Sequence, residues 1–238
     1  MHPATIQRLN AINRAFYQTV ADDFDQTRAA PWPGWMLLLP HLRAPLNVLD
    51  IGCGNARFAV FLAQHLGAEQ VTYRGIDNSA ALLDRARAHL AAIPGLRARL
   101  DEHDIVEQPL NLGAYDLVTL FGVLHHIPGA EERAQFMGQA AGCVKAGGLL
   151  VFAAWRFYEF ERYRARVVPW PDDLHVEAGD YLLDWRRGAH SLRYCHYVDD
   201  AEQSALAAAT GMTLVSEYRA DGDEYRANAY SVLLKGAS

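Results

Sequence analysis

The sequence predicts an α/β fold. We expect a doubly wound, mostly parallel sheet of seven strands that ends in an antiparallel hairpin, with a helical cap at the N-terminus and an insert after strand 5. Three observations predict it. Short apolar runs alternate with segments of helical spacing from about residue 46 to residue 154, the rhythm of strand, crossover helix and parallel strand. The first of these runs closes on Gly52-Cys53-Gly54, a strand-to-helix turn. The last two apolar runs, Thr213–Tyr218 and Ala229–Lys235, are joined by a polar stretch around Asp221-Gly222-Asp223 with no helix between them, so they pair antiparallel.

The elements follow in order. Ile6, Leu9, Ile12, Phe16, Val20 and Phe24 recur at steps of three and four, which makes Thr5–Phe24 an amphipathic helix with Thr5 as its N-cap. Pro31, Pro33 and Gly34 break that pattern, and Trp35–Leu42 reads as a second helix that stops before Pro45. Strands are expected at Asn47–Ile51, Gln70–Ile76, Arg97–Leu100, Asp116–Leu120 and Leu149–Ala154. Between them lie helices at Arg57–Leu66, Ser79–Leu90 and about Glu131–Val144, with Gly147-Gly148 as a helix-ending turn. The stretch from about Phe157 to Tyr197 breaks the rhythm and arrives where the chain leaves the carboxyl edge of strand 5, so it is expected on the substrate side. The whole chain, 1–238, reads as one domain: cap 1–45, core 46–156, insert 157–197, and a C-terminal helix and hairpin 198–238.

Composition narrows the class. With 51% hydrophobic and 21% charged residues the chain suits a globular core rather than disorder. Its formal charge of −6 is too acidic for a protein that coats nucleic acid with its whole surface. Of its 22 cations only Lys145 and Lys235 are lysines. Cys53, Cys143 and Cys195 are widely spaced and lack metal-site grouping, so they read as reduced thiols, and no metal is expected. No signal-peptide pattern or membrane span is visible, which makes the cytoplasm the expected compartment.

A glycine turn between strand and helix lets backbone approach a nucleotide-like ligand and offers free N–H groups. Here it stands as Asp50-Ile51-Gly52-Cys53-Gly54-Asn55-Ala56, with a second acid, Asp77, ending the next strand at a spacing that suits a ribose diol. A dinucleotide-binding fold is the competing reading, but it asks for a third glycine where Ala56 and Arg57 stand. With Gly75-Ile76-Asp77, Asp104-Ile105, Tyr115-Asp116-Leu117-Val118 and Lys145-Ala146-Gly147-Gly148-Leu149-Leu150 following in order, residues 46–154 resemble the class I S-adenosylmethionine-dependent methyltransferases. The resemblance implies S-adenosylmethionine as cofactor and S-adenosylhomocysteine as product. It implies cofactor contacts from Asp50, Gly52, Gly54, Asn55, Asp77 and Asn78, with Asp77 on the ribose, Asp104-Ile105 near the adenine, and Leu120-Phe121 at the site's edge. Cys53, between the glycines, reads as a small packing residue.

Outside that core, Ala21-Asp22-Asp23-Phe24-Asp25-Gln26-Thr27-Arg28 with Pro31-Trp32-Pro33, then Val123-Leu124-His125-His126, Val168-Pro169-Trp170 and Arg193-Tyr194-Cys195-His196-Tyr197, resemble the tRNA wobble-uridine carboxymethyl methyltransferases. That resemblance implies O-methylation of the carboxylate of 5-carboxymethyluridine in tRNA, with Arg28, His125 or His126, and Arg193 around the acceptor, and a small activator subunit as a further partner. The chemistry agrees: a carboxylic acid is already ionised at neutral pH, so methylation needs orientation, which planar arginine supplies, rather than a strong base. Arg28 also has a plainer reading as a salt bridge to Asp22, Asp23 or Asp25, and the histidines as strand-end packing. From Arg156 to Arg193, seven arginines face seven acids, a balance that favours a small-molecule carboxylate substrate as the alternative. A cofactor-binding, inactive partner subunit is the third reading.

Overall fold

The computed structural model describes residues 1–26, 30–187, 189–222 and 224–237. A seven-stranded sheet runs β3-β2-β1-β4-β5-β10-β9. Its parallel part consists of β1 (Leu46–Ile51), β2 (Val71–Asp77), β3 (Arg97–Glu102), β4 (Tyr115–Phe121) and β5 (Val144–Trp155). The hairpin of β9 (Thr213–Ala220) and β10 (Asn228–Leu234) closes the sheet, with β10 antiparallel to both β5 and β9. Because β1, β2 and β3 step one way and β4 returns to the other side of β1, the strand order reverses between β1 and β4. A crevice opens above the carboxyl ends at such a reversal.

Both sheet faces are covered, since each strand of a parallel sheet must bury both sides. One face carries Val48, Leu62, Phe58, Phe61 and Trp35, which belong to the side of α2 (Gly34–Leu38), α3 (Arg57–Leu66) and α4 (Ala80–Ala91). The other carries Leu49, Ile51, Leu120, Phe136 and Met137, on the side of α5 (Ala130–Gly142) and α7 (Asp200–Ala209). Adjacent residues of β1 fall in opposite clusters because successive strand side chains point to opposite faces.

Several local readings change. α1 spans Pro3–Gln26, so Thr5 lies inside the helix and not at its cap; proline suits a first helical turn, where an N–H would have no partner. Trp35–Leu42 becomes the short α2 followed by a 3-10 turn at Leu39–His41, because Pro40 supplies no N–H to continue an α-helix. Gly147-Gly148 lies within β5 instead of ending a helix. The pairing slips between Tyr115 and Leu117 there, and Gly147 N donates to Lys235 O at 2.9 Å. α5 has already ended at Gly142. Ser79 does cap α4, its hydroxyl accepting from Leu82 N at 3.3 Å.

Residues 157–196 contain the short α6 (Glu161–Arg164) and a second, antiparallel sheet of β6 (Val167–Val168), β7 (Asp180–Arg187) and β8 (Ala189–His196). α1 packs along β8: Leu9 meets Tyr194 and Leu174, and Phe16 stands edge-on to Trp185 at 5.7 Å. Polar bonds tie this sheet to the core. His196 bridges Asp180 and Glu202, each at 2.7 Å, and Arg133 of α5 reaches Glu202 at 2.7 Å. A charged group taken from water needs such partners, and buried Arg133 also gives Nη1 to the Ile127 carbonyl at 3.0 Å.

Candidate cofactor and acceptor site

A cavity of about 320 Å³ lies above the carboxyl ends of the central strands, large enough for a nucleotide-sized ligand. Its floor is the turn after β1. Gly52 has φ +69°, and a Cβ there would stand 2.5 Å from Val123 Cγ2; Gly54 has φ +55° and open space where its Cβ would be. The Gly54 amide donates to Asp77 Oδ2 at 2.9 Å and the Ser79 amide to Oδ1 at 2.9 Å. Both oxygens of Asp77 therefore accept from backbone amides, and the residue lines the cavity. Burial raises the Asp77 carboxyl above the ordinary range, with the amides of Ser79, Gly54 and Asn78 opposing it.

Gly75 explains why Cys53 sits between the glycines. A Cβ at Gly75 would meet Cys53 Sγ and Leu100 Cδ2, each at 2.8 Å, so strand β2 passes close under the turn. Burial, reinforced by Asp77 and Asp50, pushes the Cys53 thiol up, which keeps it protonated and un-nucleophilic. Asp50 is 3% exposed and accepts from Tyr73 Oη at 2.6 Å and Thr119 Oγ1 at 2.7 Å. Burial nevertheless pushes its carboxyl up to about 6, outweighing those two hydrogen bonds.

Among the described residues, Asp50, Gly52, Gly54, Asn55, Asp77, Asn78, Ile105 and Phe121 line the cavity, as do His125, His126 and Arg193. Asp104 and Leu120 do not. Asp104 turns to α1, accepting from Asn10 Nδ2 at 3.0 Å, and its Oδ1 accepts from Val106 N at 2.9 Å; its neighbours His103, Ile105 and Val106 face the cavity instead. Leu120 is fully buried under β4, because the strand's alternation gives Phe121 to the opposite face. Arg28 lies outside the described residues. Trp170 packs with Leu174 and Tyr194 and donates its Nε1–H to Asp180 O at 3.3 Å.

The wall above β4, β5 and β10 has another character. His126 Nδ1 lies 3.1 Å from Asn13 Nδ2 and 3.2 Å from the Tyr194 carbonyl. Nε2 is hydrogen-bonded with the Tyr17 hydroxyl at 2.8 Å. Burial, and secondly the charge of Arg193, push His126 down to about 3, so it stays neutral and is a weak base. Arg193 is 7% exposed, with its guanidinium 5.1 Å from the ring centre of Phe16 and 4.9 Å from that of Trp155. No carboxylate among the described residues forms an ion pair with it.

Sequence reading did not select Asn10, Asn13 and Tyr17 of α1, or Arg162 and Tyr163 of α6, all on the cavity wall. The three α1 residues fall at helical spacing with Leu9 and Phe16, a signal for one buried face, but nothing local shows that this face meets a cavity. Asp221 also lines the wall, its carboxylate taken up by the Gly34 amide, Asn228 and Tyr230.

A glycine turn after β1, a carboxylate ending β2 and a seven-stranded sheet finished by an antiparallel hairpin define the class of fold, the one shared with the S-adenosylmethionine-dependent methyltransferases to which the chain is similar. Residues 49–150 match the family described as methyltransferase domain. The chain is 30% identical over 142 residues to the mouse tRNA (carboxymethyluridine(34)-5-O)-methyltransferase ALKBH8, covering 58% of this chain and 19% of that protein. It is 33% identical over 108 residues to a ubiquinone biosynthesis O-methyltransferase of Sodalis glossinidius, covering 45% and 40%. Among solved structures, a Methanosarcina mazei methyltransferase superposes with TM-score 0.67 at 16% identity, over 87% of this chain and 99% of that one. The amino pentose methyltransferase CalS10 of Micromonospora echinaspora, solved with S-adenosylmethionine bound, superposes with TM-score 0.62 at 20% identity, over 91% and 96%. The chain thus spans about a fifth of the length of the ALKBH8 relative that it matches. No helix among the described residues is long and apolar enough to cross a membrane.

Proposed function

We propose that the protein transfers the methyl group of S-adenosylmethionine to a carboxylate, and that 5-carboxymethyluridine at a tRNA wobble position is the acceptor. The observation that carries the proposal is Arg193, a guanidinium buried in the cavity wall between Phe16 and Trp155 with no ion-pair partner among the described residues. A charge left in that state is compensated by an anionic ligand.

The cofactor supplies an electrophilic methyl on a sulfonium. Asp77, already held by the amides of Gly54 and Ser79, accepts from the ribose hydroxyls, and Asn78 and Ile105 flank the nucleoside. Gly52 and Gly54 leave room for the methionine portion, and Asp50 provides negative charge below it. On the acceptor side Arg193 orients the carboxylate, and Trp155 excludes water from one of its faces. His126 takes no proton. A carboxylate needs no base, whereas a hydroxyl acceptor asks for one with a pKa nearer the working pH than about 3.

The similarity to ALKBH8 and to a probable tRNA methyltransferase 9B of Bos taurus, 23% identical over 177 residues, supports the tRNA acceptor. The net charge of −6 and the ubiquinone relative support a second reading, a small-molecule acceptor. Labelled cofactor offered with an anticodon stem-loop bearing 5-carboxymethyluridine, and separately with small carboxylic acids, separates the two. We expect an alkali-labile ester on the stem-loop; label confined to small acids would overturn the tRNA acceptor, and no ester on any carboxylate would overturn the reaction type.

A further inference from the structure

Helix α1 brings two buried asparagines to the cavity wall, Asn10 and Asn13, each 3% exposed and one turn apart. Asn10 turns its amide to Asp104, donating Nδ2–H to Oδ2 at 3.0 Å. Asn13 is engaged at one end only. Its Nδ2 lies 3.1 Å from His126 Nδ1, whereas its Oδ1 is shut off from solvent and accepts from no described residue. A buried carbonyl oxygen in that state costs free energy unless a ligand brings it a donor.

The surroundings of Asn13 belong to the acceptor half of the cavity. His126 sits in the 3-10 turn Leu124–His126 after β4, and its Nδ1 lies 3.2 Å from the carbonyl of Tyr194, the residue that follows Arg193 on β8. Further along α1, Tyr17 meets the other ring nitrogen of His126 at 2.8 Å, and Phe16 lies 5.1 Å from the Arg193 guanidinium. Asp77, the ribose acceptor in the proposed reading, ends β2, and β1 stands between β2 and β4 in the sheet. The ribose hydroxyls are thus directed to a different part of the cavity, and the donor for Asn13 comes from the methyl acceptor.

We propose that Asn13 is a specificity-determining residue whose Oδ1 accepts the imide N3–H of a uracil-type acceptor, while Arg193 orients the carboxylate carried on the same ring. N3–H is the one donor on the edge of that base, because the carbonyls on either side of it only accept. The class of substrate is therefore a carboxylate borne by a ring with an imide N–H, and a ring alkylated at that nitrogen is refused. This deepens the carboxylate reading and rests on it.

Binding to the protein loaded with S-adenosylhomocysteine tests the assignment without turnover. The probes are 5-carboxymethyluridine and its N3-methyl derivative, titrated by calorimetry into the wild type and into Asn13→Leu, which keeps the side-chain volume and removes the acceptor. In the wild type the N3-methyl group should weaken binding roughly tenfold, the worth of one buried hydrogen bond. Asn13→Leu should bind the two probes equally, with S-adenosylhomocysteine affinity unchanged. Equal binding of the probes by the wild type would overturn the proposal, whatever the variant does. So would a penalty that persists in Asn13→Leu, because a clash with the methyl group and not a lost hydrogen bond would then explain it. A fall in S-adenosylhomocysteine affinity would assign Asn13 to the cofactor and overturn it as well. If the wild type binds neither probe, the uridine acceptor itself fails and the proposal falls with it; in every other outcome 5-carboxymethyluridine binds, so the two failures are distinct.

Discussion

The Gly54 amide and the Asp77 carboxylate, 23 residues apart in sequence, are joined by a hydrogen bond of 2.9 Å. It couples the glycine turn after β1 to the acid that ends β2, two parts of the cavity lining. Asp77→Ala removes both the acceptor of that bond and the partner of the Ser79 amide. We expect S-adenosylhomocysteine binding to weaken by about a hundredfold, the worth of two charged hydrogen bonds, measured by calorimetric titration. Wild-type affinity would remove Asp77 from the site.

The two glycines of the turn make opposite predictions. At Gly52 a methyl would stand 2.5 Å from Val123 Cγ2 at φ +69°, so Gly52→Ala should lower the melting temperature strongly. At Gly54 the same methyl meets nothing within 4 Å at φ +55°. Gly54→Ala should therefore cost only about 1–2 kcal/mol of left-handed strain while it narrows the cavity and weakens the cofactor. Equal melting temperatures for the two variants would contradict this geometry.

Arg193→Ala should abolish methyl transfer while S-adenosylhomocysteine still binds, because the residue faces the acceptor half of the cavity. Arg193→Lys should recover little, since an ammonium neither forks onto a carboxylate nor lies flat between Phe16 and Trp155. Steady-state rates with a fixed acceptor decide it, and wild-type turnover in Arg193→Ala would show that another group holds the acceptor.

Asp50 predicts a pH signature. Its carboxyl titrates near 6 in the folded protein, above an unfolded value of about 4, so the folded state holds the proton more tightly. The stability this group contributes is present below about pH 4 and is lost as pH rises to about 6, on the order of 3 kcal/mol. Asp50→Asn should remove that component. The wild-type and variant melting curves should diverge between pH 4 and 6 and run parallel above it; parallel curves throughout would refute the assignment.

His196 has the same sense of dependence on pH, in a higher range and for a different reason. Burial disfavours its charge, but the hydrogen bonds to Asp180 and Glu202 prevail and raise its pKa above 6.5. Its contribution is fully present below that unfolded value and lost as pH climbs through the higher folded one. The wild type should lose melting temperature between pH 6 and 9 by more than His196→Gln does. Differential scanning fluorimetry across that range tests it, and identical slopes would rule it out.

The positions of the strands, the hairpin, the glycine turn and the place of Asp77 at a strand end were legible in the chain, because each depends on a local rule. Apolar periodicity gives strand or helix, glycine gives a positive φ, and a short connection gives antiparallel pairing. The exceptions had local causes too: Pro40 turned the second helix into a 3-10 turn, and the slip opposite Tyr115 drew Gly147-Gly148 into β5.

The sequence by itself determined the class of fold and where along the chain the glycine turn and Asp77 lie, since those residues follow directly from the ends of β1 and β2. Only the tertiary structure decided which side chains share the cavity. Asp104 and Ile105 are adjacent, yet one carboxylate is drawn to Asn10 of α1 while its neighbour faces the site. Arg162 and Arg193 are 31 positions apart, and they share the cavity wall because Trp155 and Tyr163 pack between them. Contacts of that kind depend on how α1, α6 and the second sheet dock over the core. Docking is set by burial across distant segments, which no window of sequence contains.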